Sequence, residues 1–223
     1  MPRTSTTEPV KVVLVEDHRM FRERLAQLIS RDETFSVCGE ADNIQSAMKI
    51  IQTQRPDIVI VDITLRGASG LELIKNLKAQ ELGIPVLVLS MHAEALYAER
   101  VLRAGAKGYI TKRAASSTLL KAIRHVVDGK VYLSEDMTAA VLAKASGQDS
   151  GAATGSLESL ADRELEVFQL VGKGLNTREI AEQIHLGETT VDTYRARIKD
   201  KLHLRNASEL YSRAAQWVQE QGL

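Results

Sequence analysis

The chain carries no excess of charge of either sign: 29 Lys and Arg balance 29 Asp and Glu, a formal net of +0 at pH 7. Overall charge therefore argues neither for nor against nucleic acid, and a DNA-binding reading has to rest on local arrangement. Cysteine is almost missing too. The single one, Cys38, stands in the apolar run TFSVCG. It can form no internal disulfide, and its setting predicts a small buried hydrophobe and not a reactive thiol. No stretch approaches the roughly 18 apolar residues of a membrane span, and MPRTSTTEPVK at the start lacks the apolar core of a signal peptide. The expected location is the cytoplasm. What is present, 44% hydrophobic and 26% charged residues among 223, is the composition of a soluble globular protein of two ordinary domains.

From Lys11 to about Asp128, short apolar runs alternate with amphipathic segments. The runs are VVLV (Val12–Val15), FSVCG (Phe35–Gly39), IVIV (Ile58–Val61), IPVLVL (Ile84–Leu89) and GYI (Gly108–Ile110). Continuous apolar runs this short, rich in β-branched residues, read as strands of a parallel sheet buried on both faces. Between them Ile44, Ala47, Met48 and Ile51 share one helical face, as do Leu71, Ile74 and Leu77, and Leu119, Ile123 and Val126. Five strand–helix repeats predict a doubly wound α/β domain, because parallel neighbours need long crossovers and helices then cover both faces. A further helix is expected from Ser134 to Lys144. ASGQDSGAATGS (Ala145–Ser156) holds nothing that anchors a core and reads as a flexible tether. Beyond Leu157 the pattern is helical only, with stripes at Leu165, Phe168 and Val171; Ile180, Ala181 and Ile184; Val191, Tyr194, Ile198 and Leu202; and Leu210, Ala214 and Trp217. The expected layout is an α/β domain over 10–130, a helix plus linker over 131–157, and an all-α domain over 158–223.

In doubly wound sheets function gathers at the carboxyl ends of the strands. Here strand one ends in Glu16-Asp17, strand three in Asp62, strand four in Ser90, and strand five runs into Thr111-Lys112. Alone, each would be a cap or a solvated loop residue. Together they bring three carboxylates, a hydroxyl and an ammonium to one edge. Crowded carboxylates favour a hard divalent cation with oxygen ligands, Mg²⁺ above all. A solvent-reachable Asp62 beside that ion and Lys112 is equipped to take a phosphoryl group as nucleophile.

The runs VVLVEDH, DIVIVDITL, VLVLSMHAE and GYITK resemble the receiver domains of two-component response regulators, from about Lys11 to Asp128. The resemblance implies the flavodoxin-like strand order 2-1-3-4-5, with Asp62 as phosphoacceptor, Asp17 as direct Mg²⁺ ligand and Glu16 as a ligand through water. It further implies a backbone carbonyl ligand at Thr64, a hydrogen bond from Ser90 to the phosphoryl group, Lys112 paired with it, and Tyr109 as the aromatic that changes rotamer on activation. Glu16 stands where many members have Asp. Thr64 and His92, two residues beyond site positions, read either as surface loop residues or as groups that shape water access. Phosphatases of the haloacid-dehalogenase type also use an aspartyl nucleophile, but they need an acid two residues later, and that position is Thr64. The expectation is a site that accepts phosphate and holds it, and not an enzyme that turns substrates over.

The segment from Ser156 to Leu223 has nine basic and eleven acidic side chains, yet Arg195, Arg197, Lys199, Lys201 and Arg205 cluster against Asp200 alone. Asn176 with Glu179 reads as a capping box, HLG (His185–Gly187) as a tight break, and a longer basic helix follows: the spacing of a helix-turn-helix. LADRELEVFQLVGKGLNTREIAEQIHLGETTVDTYRARIKDKLHLRNASEL resembles the LuxR-type DNA-binding domain, and the whole chain the NarL/FixJ class. The resemblance implies that the helix from Thr190 to Leu202 enters the major groove of double-stranded DNA. Asn176, Thr177, Arg178, Thr190, Arg195 and Arg197 would then contact phosphates or groove edges. Three departures stand out. Ala161 replaces a usual hydroxyl cap, Gly187 caps the recognition helix, and Asp192 stands where many relatives are basic. Asp192 is expected to accept from a cytosine amino group and Thr193 to touch a thymine methyl. Leu210, Ala214 and Trp217 on the last helix read as core packing; the resemblance adds a dimer contact there, and so a homodimer on repeated half-sites, and it implies a sensor histidine kinase as partner of the receiver. An unregulated DNA-binding protein with a receiver used only for dimerisation is the competing reading.

Overall fold

The computed structural model describes residues 8–65, 68–91, 94–145 and 157–220. They form two compact units, divided between Val141 and Leu142. Strands β1 (Val10–Val15), β2 (Phe35–Ala41), β3 (Ile58–Val61), β6 (Val86–Ser90) and β7 (Gly108–Thr111) make a parallel sheet in the order β2-β1-β3-β6-β7. A two-residue antiparallel ladder, β4 (Thr64–Leu65) with β5 (Ala68–Ser69), stands apart from it. Leaving out that ladder, the order is the expected 2-1-3-4-5. Helices α1 (Arg19–Ser30), α2 (Ile44–Gln54), α3 (Gly70–Ala79), α4 (Glu94–Ala104) and α5 (Ala115–Val127) form the crossovers, and α6 (Glu135–Ala145) follows.

The central strands are buried as their apolar runs require: Val12–Val15 and Ile58–Val61 are at most 2% exposed. The predicted helical faces point inward through Ala47 and Ile51, through Leu71, Ile74 and Leu77, and through Leu119, Ile123 and Val126. β2 differs. As an edge strand it runs on to Ala41 and buries mainly its ends. Cys38 is therefore only half-buried, although its thiol donates to the Val12 carbonyl at 3.5 Å and burial pushes its pKa up, away from a reactive thiolate. After α5 the chain returns along β7: the Tyr109 N–H donates to the Tyr132 carbonyl, and the Tyr132 N–H donates to Lys107, both at 2.9 Å. The first turn of α6 is tied back by the Ser134 N–H donating to Glu94 Oε1 at 2.9 Å. The expected tether falls, apart from Ala145, outside the described residues, as does His92.

The second unit packs α7 (Asp162–Gly172), α8 (Thr177–Gln183), α9 (Glu188–Lys201) and α10 (Ala207–Glu220) after a short 3-10 turn at Leu157–Ser159. Its core is the set of stripes read from the sequence, with Phe168 against Trp217 at 5.6 Å between ring centroids; only Tyr194 is half-buried. Gly172 permits the α7–α10 crossing, since a Cβ there would lie 2.4 Å from the Ala214 carbonyl oxygen. The turn between α8 and α9 is made by His185, held at φ 54°.

Candidate functional site: an acidic pocket and a helix-turn-helix

Backbone hydrogen bonds level the strand ends that carry the acidic residues. The Glu16 N–H donates to Ala41 at 3.0 Å, Asp62 to Val15 at 2.9 Å, and Lys112 to Ser90 at 2.8 Å. Parallel register thus brings Glu16, Asp17, Asp62 and Lys112 to one pocket. Gly70, at the start of α3, closes over the Asp62 backbone, where a Cβ would come within 1.9 Å of the Asp62 carbonyl oxygen.

Within the pocket Lys112 Nζ lies 2.7 Å from Asp62 Oδ2 and 2.6 Å from Glu16 Oε2. Burial works against the ammonium, yet Asp62 and Glu16 outweigh it and raise the pKa of Lys112. For Asp62 the balance goes the other way. Burial, opposed by Lys112 and reinforced by Glu16, lifts its carboxyl from the usual 3.8 to about 7. The Thr64 backbone N–H also bonds this carboxylate. Asp62 is only 4% exposed, deeper than the solvent-reachable nucleophile expected from sequence. Lys112, its own side chain only 7% exposed, lies against both the Asp62 and Glu16 carboxylates.

Ser90 is fully buried, and its side chain is hydrogen-bonded to the Tyr109 hydroxyl. Tyr109 is itself buried, which pushes its phenol pKa up. The pair therefore sits turned into the fold.

Glu16, Asp17 and Asp62, together with His18, offer donor atoms within 4.8 Å of one another. Oxygen donors, dense negative charge and the buried Asp62 Oδ1, which has no hydrogen-bond partner, fit a hard divalent cation. His18 is the residue that sequence reasoning missed. Its Nδ1 lies 2.9 Å from Asp17 Oδ1 and 3.0 Å from Glu16 Oε1. The available signal was its position directly after Glu16-Asp17.

In the second unit the capping box is present: Asn176 Oδ1 accepts from the Glu179 N–H at 3.0 Å, and Glu179 Oε2 accepts from the Asn176 N–H at 2.8 Å. α9 opens at Gly187 with no side-chain cap. Its solvent face carries Thr190, Asp192, Thr193 and Arg197, all exposed. Arg178 is exposed and paired with Glu182 at 3.0 Å. Arg195 departs from the expectation of an outward contact. Its side chain is 15% exposed, donates to the hydroxyls of Thr177 and Tyr211, and stacks 5.0 Å from the Tyr211 ring centroid. Thr177 also donates to Asp192 Oδ1 at 3.3 Å. Lys201 is drawn inward as well, to buried Glu164 at 2.6 Å. Two of the five cations in the basic run thus brace the bundle.

Residues 12–124 match the response regulator receiver domain, and residues 158–214 match bacterial regulatory proteins of the luxR family. Response regulator UvrY of Escherichia coli (strain K12) is 32% identical over 202 residues, covering 90% of this chain and 91% of its own. Transcriptional regulatory protein DesR of Bacillus subtilis (strain 168) is 31% identical over 205 residues, covering 92% and 96%. RcsB from Salmonella enterica serovar Typhimurium, solved bound to promoter rprA in the presence of phosphomimetic BeF3-, shares the fold with a TM-score of 0.60 at 20% identity, over 93% of this chain and 98% of that one. The chain belongs to the NarL/FixJ class of two-component response regulators, transcriptional regulators that join a receiver domain to a LuxR-type DNA-binding domain.

Proposed function

We propose that Asp62 is the phosphoacceptor of this regulator and that its phosphorylation by a sensor histidine kinase controls DNA binding by the helical domain. The observation that carries the reading is the meeting of Asp62, Glu16 and Lys112 within 2.7 Å contacts at the strand ends. Asp17 and Asp62 would hold Mg²⁺ directly, Glu16 through water, and the Thr64 backbone carbonyl would complete the protein's share. Bound there, Mg²⁺ supplies positive charge toward the transferring oxygens. Asp62 attacks the phosphorus of a phosphohistidine; the new O–P bond forms as the N–P bond breaks, and the imidazole departs with the bonding pair. Lys112 is placed to neutralise the acyl phosphate. Ser90 would donate to it once its hydroxyl leaves Tyr109, whose ring would then repack.

In this reading residues 10–130 are the receiver, 131–157 the helix and linker, and 158–223 the DNA-binding domain, working in the cytoplasm as a homodimer on repeated half-sites. α9 enters the major groove with Thr190, Asp192, Thr193 and Arg197 outward, while Asn176, Thr177 and Arg178 present the start of α8 to the backbone. Arg195 reaches phosphate only by releasing Thr177 or Tyr211. The site holds phosphate and turns no substrate over, because Thr64 offers no leaving-group acid. Incubation with a small phosphodonor and Mg²⁺ should label the wild-type chain and leave Asp62→Asn unlabelled. Footprinting should show protection that strengthens with phosphodonor. Persistent labelling of Asp62→Asn would refute the assignment, and phosphodonor-independent footprints would favour an unregulated binder.

A further inference from the structure

We propose that His18 is a nitrogen donor to the cation site, so that this pocket holds a borderline divalent ion such as Co²⁺ or Zn²⁺ more tightly than its carboxylates would by themselves. The inference rests on the reading of Glu16, Asp17 and Asp62 as a cation site.

The geometry has three parts. First, Nδ1 of His18 stands 2.9 Å from Asp17 Oδ1 and 3.0 Å from Glu16 Oε1. Neighbouring donors on an octahedron with bonds of about 2.1 Å lie about 3.0 Å apart, so the separation from Asp17 Oδ1 is that of adjacent ligands on one ion. Second, the ring is not used to cap the helix. His18 is the N-cap residue of α1 but makes no side-chain cap bond to the helix. Its backbone N–H donates to the same Glu16 Oε1 at 3.0 Å, fixing the residue against the carboxylate. Third, the pocket divides its oxygens. Lys112 takes Glu16 Oε2 and Asp62 Oδ2. Glu16 Oε1 is left on the His18 side, and Asp62 Oδ1 is buried with no hydrogen-bond partner.

Charge agrees with that division. With all three carboxyls ionised, as a bound cation would make them, three carboxylates against one ammonium leave two negative charges, which one divalent ion cancels. His18 is 67% exposed, so it forms the outer wall, and water can fill the remaining positions from solvent. Imidazole favours first-row transition ions, whereas Mg²⁺ prefers oxygen, so the nitrogen changes selectivity more than it changes Mg²⁺ affinity.

The test uses the full chain stripped of metal, as wild type, His18→Ala and His18→Asn, titrated calorimetrically with Co²⁺ and Mg²⁺. Pulsed electron paramagnetic resonance of bound Mn²⁺ reads nitrogen coupling. Wild type should show nitrogen coupling that both variants lose, with Co²⁺ binding weakened by about tenfold or more and Mg²⁺ binding held within about twofold. Mg²⁺ binding without nitrogen coupling in the wild type overturns the role of His18 and leaves the cation site standing. Equal weakening of both ions also overturns it, and assigns His18 to positioning Glu16 and Asp17. No binding of either ion overturns the cation site itself.

Discussion

Replacing Asp62 with Asn should stabilise the metal-free receiver, and by an amount that grows with pH. In the fold the carboxyl titrates at about 7 against an ordinary 3.8, because burial and Glu16 outweigh Lys112. That difference corresponds to about 4 kcal/mol between low and high pH. The sign follows from the two states. Between about pH 4 and pH 7 the unfolded chain has already released its proton while the folded chain still holds it, so wild-type stability falls through that window and levels off above it. Asn carries no charge and has no such loss. Its advantage should grow between pH 5 and pH 8 by an amount on the order of 2–3 kcal/mol, which for a unit of this size is a Tm shift on the order of 10 °C. The assay is thermal unfolding of both proteins in EDTA at the two pH values, followed by far-UV circular dichroism. Trp217, the chain's one tryptophan, reports the second unit separately by fluorescence. Adding Mg²⁺ at ten times its Kd should return about 1.4 kcal/mol to the wild type and less to the variant, narrowing the gap. An Asn variant that is equal or less stable at pH 8, or an advantage that does not change with pH, would show that Asp62 is not a buried charge held against its own desolvation.

Other substitutions probe different joints. Gly70→Ala should force the Asp62 carbonyl away, costing about 1–3 kcal/mol and slowing phosphodonor labelling; unchanged labelling would mean the loop has room to spare. Glu164→Ala removes the partner of both Lys201 at 2.6 Å and the Ala161 N–H at 2.7 Å. It should destabilise the second unit by about 2 kcal/mol in urea, read by Trp217 fluorescence, with the receiver transition unmoved. Glu94→Ala should free the Ser134 N–H and fray the start of α6, a loss of about 1–2 kcal/mol visible as faster amide exchange at that residue.

Periodicity alone supplied most of the architecture. IVIV and VVLV have no polar face, so they had to be central parallel strands, and Leu119, Ile123 and Val126 had to cover them. Edge behaviour was less legible. FSVCG looks as apolar as its neighbours, but a strand with one partner leaves Cys38 half-covered. In the helical unit, Asn176 with Glu179 marked its own cap, because a capping box is local chemistry.

The site shows where sequence stops. The residue types at the strand ends were fixed by the chain itself, since a doubly wound sheet delivers every carboxyl end to one rim. The occupancy of that rim was decided only in three dimensions. Lys112 closes over Asp62, His18 turns back onto Glu16 and Asp17, and Arg195 and Lys201 leave the basic run to brace the helices. A long charged side chain can reach either water or a buried partner from the same backbone position. Only the surrounding packing settles the choice, because it sets the cost of leaving that partner alone.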